Sequence, residues 1–153
     1  MACTNTNILK NGGFRRGVAP WTGTQLRRVK NPVYANDASM LLTTGSVLKQ
    51  AQPLTIQRGC AYYFYFRLLN VTPNGANGSL YATVAYRDKN GKILRSTPLY
   101  IIVSKAIKLA FKPYFNIVPP PPAATKFVTA VFSNVKGTIF VDYIRLAAHV
   151  VEN

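Results

Sequence analysis

Between positions 60 and 69 the chain alternates with a period of two. Tyr62, Phe64, Phe66 and Leu68 fall on one side of an extended backbone, and Tyr63, Tyr65 and Arg67 on the other, because successive side chains of a strand point to opposite faces. The pattern repeats downstream, with Leu80, Ala82, Val84 and Tyr86 set against Tyr81, Thr83, Ala85 and Arg87. Weaker strand patterns cover 24–30, with Leu26 opposite Arg27 and Val29, then 39–42 and 46–56 on either side of Gly45, 93–103, 107–115, 126–132 and 138–148. Ile8 and Leu9 open a further strand at the start. The breaks fall where turn chemistry is richest: Asn31-Pro32, Arg58-Gly59, the Pro/Asn/Gly-rich 72–78, Asp88-Lys89-Asn90-Gly91 and the proline run 119–122. Pro53 and Pro98 mark edges or interruptions, since proline donates no ladder hydrogen bond. No stretch carries a helical period. Short strands joined by short turns predict an all-β, single-domain jelly-roll β-sandwich of two antiparallel sheets.

Composition refines this picture. A chain of 153 residues, 48% hydrophobic, buries its own core as one domain. Residues 1–6 are polar and read as a flexible N-terminal arm, leaving 7–150 as the sandwich. Nineteen Lys and Arg stand against four Asp and Glu, a net charge of +15. The cations are scattered rather than gathered in a tail, as a charged folded surface requires, and such a surface attracts polyanions. No apolar run reaches the length of a membrane span. The polar start lacks the pattern of a signal peptide, so synthesis in a cytosol is expected.

Candidate catalytic chemistry is thin. The acidic residues are Asp37, Asp88, Asp142 and Glu152, and His149 is the one histidine. Asp88 reads as a turn former, Glu152 as a terminal residue and Asp142 as a structural hydrogen-bonding group. None makes the carboxylate pair of a glycosidase. No nucleophile motif accompanies His149, and neither metal-ligand spacing nor a phosphate-binding glycine loop is present. The expectation is a protein that is not an enzyme and has no cofactor. Cys3 and Cys60 leave three states open: two free thiols, a bond between copies, or a bond within the chain worth roughly 4 kcal/mol in the chain-entropy model.

A second signal lies in Asn11-Gly12-Gly13-Phe14 and Pro20-Trp21-Thr22-Gly23-Thr24. Asn and Gly suit the positive φ angles of a turn, and Phe14 and Trp21 are large anchors for a core. The chain ends its last strand as Val141-Asp142-Tyr143-Ile144-Arg145-Leu146. Together these segments resemble the opening "N-G-G-F-E…W" and closing "V-D-D-V-x-L" of galactose-binding-like, jelly-roll carbohydrate-binding modules. The longer "N-G-G-F…P-W-T-G-T" is similar to small β-sandwich domains of Bacillus-type spore-surface proteins associated with collagen-like chains. The first resemblance implies a structural calcium near Asp142. Here Arg15 and Tyr143 replace two of the expected carboxylates, so no metal is expected, and Arg15 is expected to pair with Asp142 instead.

The second resemblance implies a structural protein of a spore, made in a mother cell and placed on the spore surface or in a parasporal body. Its partners would be copies of itself, other spore-layer proteins, or an acidic polymer or glycan. The alternative is a carbohydrate-binding module. For either, Tyr63, Tyr65, Arg67, Tyr81 and Arg87 are read as one outward Tyr/Arg stripe that stacks a ligand or joins copies. Nucleic acid ranks last, because no recognised binding module is present.

Overall fold

The computed structural model describes residues 3–151. It contains eight strands: β1 (Thr22–Lys30), β2 (Ala38–Pro53), β3 (Cys60–Asn70), β4 (Gly78–Arg87), β5 (Ile93–Val103), β6 (Lys112–Val118), β7 (Phe127–Lys136) and β8 (Ile139–Val150). The remaining regular element is a single 3-10 turn at Pro73–Gly75.

Every strand pair is antiparallel, and neighbours run β5-β4-β7-β2-β8-β3-β6, with β1 on the free side of β2. The ladder folds over at β2. Residues Met40 to Leu42 pair with β8, whereas Val47 to Pro53 pair with β7. This splits the ladder into two layers, β5-β4-β7-β2 and β2-β8-β3-β6. Their inner faces meet through Phe64 and Phe66 of β3 against Phe132 of β7, at 5.5 and 5.0 Å between ring centres. Tyr62 of β3 similarly meets Tyr86 of β4 edge-on at 6.4 Å. The inward residues of the period-two pattern are buried in one continuous core. The result is a jelly-roll β-sandwich.

Several expected boundaries move. β2 is one strand through Gly45, where two were expected. Gly45 adopts φ +90° in the unpaired stretch Thr43 to Ser46, where the chain bends as it changes partners from β8 to β7. β5 runs through Pro98, which is tolerated because β5 is an edge strand paired only with β4. The strand expected at 107–115 begins instead at Lys112, where pairing with β3 starts, and leaves Ile107 and Leu109 exposed. Ile8 and Leu9 form no strand. One backbone bond joins Ile8 to Leu146, and the Asn7 side chain clamps β8 by accepting from the Leu146 amide at 2.9 Å.

The N-terminal motif forms the expected tight turn, closed by the Phe14 amide donating to the Asn11 carbonyl at 3.1 Å. The positive φ angles belong to Asn11 and Phe14. Gly12 is required for close approach, since a Cβ there would collide with the Ile144 carbonyl while Gly12 accepts from the Ile144 amide. Phe14 and Trp21 are buried and lie 5.9 Å apart between ring centres, and the Trp21 Nε1–H donates to the Asn11 carbonyl. The polar residues before the motif are tied to the body. Cys3 and Cys60 form a disulfide within the chain, Thr4 donates to Gln57, and Arg145 donates to the Asn5 carbonyl. Residues 1 and 2 of the expected arm, and Glu152, lie outside the described residues.

Candidate functional site

The register of β3 decides what its outward side chains meet. Tyr63 lies across from Ile117 of β6 and Ala147 of β8, and Tyr65 from Phe115 and Arg145. A bulge follows, with Tyr143 at φ 51° taking up the extra residue, so that Arg67 comes opposite Asp142. The rings along this face lie in a band of neighbouring groups on β6, β3, β8 and the adjoining loops. Tyr63 stacks on His149 at 4.3 Å and tilts against Phe115 at 6.3 Å. Tyr65 meets Tyr143 edge-on at 5.8 Å. Tyr34, from the β1–β2 loop, stacks on Phe111. Phe115, Tyr143 and Tyr34 remain 62%, 50% and 42% exposed, so the band presents ring surface to solvent.

Arg67 joins the band to a polar node. Its guanidinium carbon lies 4.9 Å from the centre of the Tyr34 ring and 4.7 Å from that of Tyr143, distances at which a cation is held by the ring faces. One amino group donates to Asp142 Oδ2 at 2.9 Å, and the other reaches the Tyr34 hydroxyl at 3.3 Å. Asn31 donates to the same Asp142 oxygen at 3.0 Å. Asp142 is buried, which pushes its carboxyl above the ordinary aspartate range, against the opposing pull of the Tyr143 amide and the Arg67 charge. Arg15, expected to pair with Asp142, pairs with Asp37 at 3.1 Å instead. The β3–β8 register already places Arg67 opposite Asp142, whereas Arg15 sits on a loop and is mostly exposed. Burial acts to raise the Asp37 carboxyl, but the Arg15 hydrogen bond and the Ala38 amide outweigh it and hold the carboxyl below the ordinary range.

A cleft of about 1420 Å³ opens beside this node, and Tyr34, Arg67 and Tyr143 line it as well as the band. Most of its remaining chemistry is basic, from Lys10, Arg16, Arg28 and Lys30. No group of three or more His, Cys, Asp or Glu side chains suited to a metal occurs among the described residues. No helix among them is long and apolar enough to cross a membrane.

The expected five-residue stripe is therefore two surfaces. Tyr63, Tyr65 and Arg67 lie on the β6-β3-β8 face. Tyr81 and Arg87 lie on β4 in the other layer, where Tyr81 meets Tyr100 of β5 and Arg87 bonds to Thr129 of β7 and the Gly91 carbonyl. Cross-strand neighbours are set by register, which alternation along one strand does not reveal. Tyr34, Phe111, Phe115, Tyr143, His149 and Asn31 were absent from the expected site. The alternation of Phe115 and Ile117 in β6 carried a local signal for one of them. The loop residues Asn31, Tyr34 and Phe111 carried none.

No protein-family model matches the chain, and no curated protein sequence matches it. Solved structures do. The chain is similar to the CBM22-1 xylan-binding domain from Paenibacillus barcinonensis Xyn10C, with a TM-score of 0.67 and 13% identity over 99% of this chain and 100% of that one. It is similar to TmCBM61, solved in complex with β-1,4-galactotriose, at TM-score 0.63 and 17% identity over 92% and 97% of the two chains. It also matches the enzymatically active domain of bacteriophage CBA120 tailspike protein 4, at TM-score 0.66 and 19% identity over 93% of this chain. This chain spans about a fifth of that longer one, 21% of its length. The fold is that of the carbohydrate-binding modules.

Proposed function

We propose that this chain is a non-enzymatic carbohydrate-binding module that holds a glycan on the outer face of β6, β3 and β8. The observation that carries the reading is the exposed ring band from His149 through Tyr65 to Tyr34, running into a polar cleft at Arg67. Aromatic faces take the apolar side of a sugar ring, and the polar rim fixes its hydroxyls. Binding modules for xylan and galactotriose among the structural neighbours support the same reading. The described carboxylates have structural partners: Asp37 with Arg15, Asp88 within its turn, and Asp142 with Arg67 and Asn31. That engagement favours binding over hydrolysis.

The spore-layer reading rests on the N-terminal motif and on the charge. One route to linked copies, a Cys3–Cys60 bond between chains, is occupied by the bond within the chain. A panel of soluble polysaccharides in affinity electrophoresis tests the preferred reading. Retardation by at least one glycan is expected, abolished by Phe115→Ala with Tyr65→Ala and retained by Tyr81→Ala. Loss through Tyr81→Ala alone would move the site to the opposite face. Ordered sheets or fibres forming without ligand would favour the spore-layer reading.

A further inference from the structure

The glycan-binding reading leaves the class of glycan open, and the charge of the cleft narrows it. Both carboxylates lining the cleft are already neutralised, Asp37 by Arg15 and Asp142 by Arg67. Lys10, Arg16, Arg28 and Lys30 line the same concavity, all exposed, and none has a carboxylate partner among the described residues. Arg28 is held at the wall by donating to the Phe14 carbonyl at 2.6 Å and the Arg15 carbonyl at 3.3 Å, so its guanidinium is pre-positioned. Like charges around one concavity repel each other, and a bound anion relieves that repulsion. A neutral polymer does not. The guanidinium fork also matches a carboxylate or sulfate in two-point geometry. The net charge of +15 adds long-range attraction for a polyanion.

Resting on the glycan-binding reading, we infer that the ligand is an anionic glycan, a polyuronate or sulfated polysaccharide. Its sugar rings lie on the Tyr65–Tyr143–Tyr34 band, and its acidic groups enter the cleft at Arg16, Arg28, Lys10 and Lys30. Tyr34 and Tyr143 belong to both surfaces, so one chain of sugars engages rings and cations together.

The test is calorimetric titration of the full chain with two matched pairs: oligogalacturonate against its methyl ester, and heparin oligosaccharide against its desulfated, N-acetylated and carboxyl-reduced form. Each pair keeps the backbone and changes the charge. At low salt the charged member of at least one pair should bind at least about tenfold tighter than its neutral counterpart, and the difference should shrink at high salt. Arg16→Glu with Lys30→Glu should weaken the charged ligand about tenfold while leaving the thermal midpoint in place. Equal or tighter binding of the neutral members would overturn the inference and leave the glycan-binding reading standing. Absence of binding to all four, and to neutral xylan and galactan, would overturn both. A single-stranded oligonucleotide or polyphosphate that binds as tightly as the charged glycan, with the same loss in the double variant, would also overturn it. Charge alone would then be recognised.

Discussion

On β3 the outward Tyr63, Tyr65 and Arg67 meet rings from β6, β8 and a loop, whereas on β4 the outward Tyr81 and Arg87 meet one ring and two polar groups. The two strands have the same alternation and similar residue types, and their inward faces are equally buried. What separates them is company. β3 lies between β6 and β8, with the β1–β2 loop folded against the end of the face, so its arginine is drawn into a node with a buried carboxylate. β4 lies between β7 and the edge strand β5, and its arginine serves only to fasten a turn to a neighbouring strand. A surface becomes a site when several elements converge on it, and only the β3 face has that convergence.

The sharpest way to break this contrast is to remove the carboxylate. Asp142→Ala should destabilise the fold by about 3–5 kcal/mol, because it leaves the Arg67 guanidinium without its carboxylate in a largely buried setting and removes one of the two bonds of the Asn31 amide. Arg87→Ala on the other face should change stability by less than about 1 kcal/mol. Urea unfolding of the two variants measures both. A small loss for Asp142→Ala would show that the node is decorative and the two faces are alike.

Below the surface the comparison continues with two tyrosines in edge contact. The Tyr86 hydroxyl donates to the Pro119 carbonyl at 2.7 Å, whereas the Tyr62 hydroxyl is buried without a partner among the described residues. Tyr86→Phe should therefore cost about 1 kcal/mol, and Tyr62→Phe should be neutral or stabilising. Burial raises the Tyr86 hydroxyl well above its ordinary value. A raised folded value means that its contribution is complete below the ordinary tyrosine range, near pH 10, and is lost as pH climbs toward the folded value. Alkaline unfolding followed by circular dichroism should accordingly begin at higher pH for Tyr86→Phe than for the unaltered chain.

The smallest expected change comes from the cleft rim. Asp37 is held below its ordinary value, so its contribution is present above the ordinary aspartate range and disappears as pH falls through the folded value. Asp37→Asn should flatten the acid limb of the stability profile by lowering neutral-pH stability slightly, by less than about 1 kcal/mol, as an exposed Arg15 partner implies. A large effect at neutral pH would make the Arg15–Asp37 pair a second node, equal in weight to Arg67–Asp142.

The disulfide fastens the N-terminal residues to the start of β3. Cys3 and Cys60 are separated by 57 residues, and closing that loop is worth roughly 4 kcal/mol in the chain-entropy model. Reduction should lower the thermal midpoint without altering the β3 band, since the bond ties the N-terminal residues to the start of β3 rather than to its rings.

By itself the sequence determined the fold class, the inward and outward parity of β3 and β4, and the burial of Phe14 and Trp21. Each follows from local chemistry: a strand alternates every residue, large apolar groups leave water, and Asn-Gly and proline punctuate the chain. Only the tertiary structure decided which outward residues share a surface, which carboxylate answers Arg67, and that Gly12 is needed for space rather than for a left-handed angle. Those outcomes depend on pairs far apart in the chain, such as Arg67 with Asp142 and Gly12 with Ile144. Register, bulge and loop placement set such pairs, and a period of two is blind to all three.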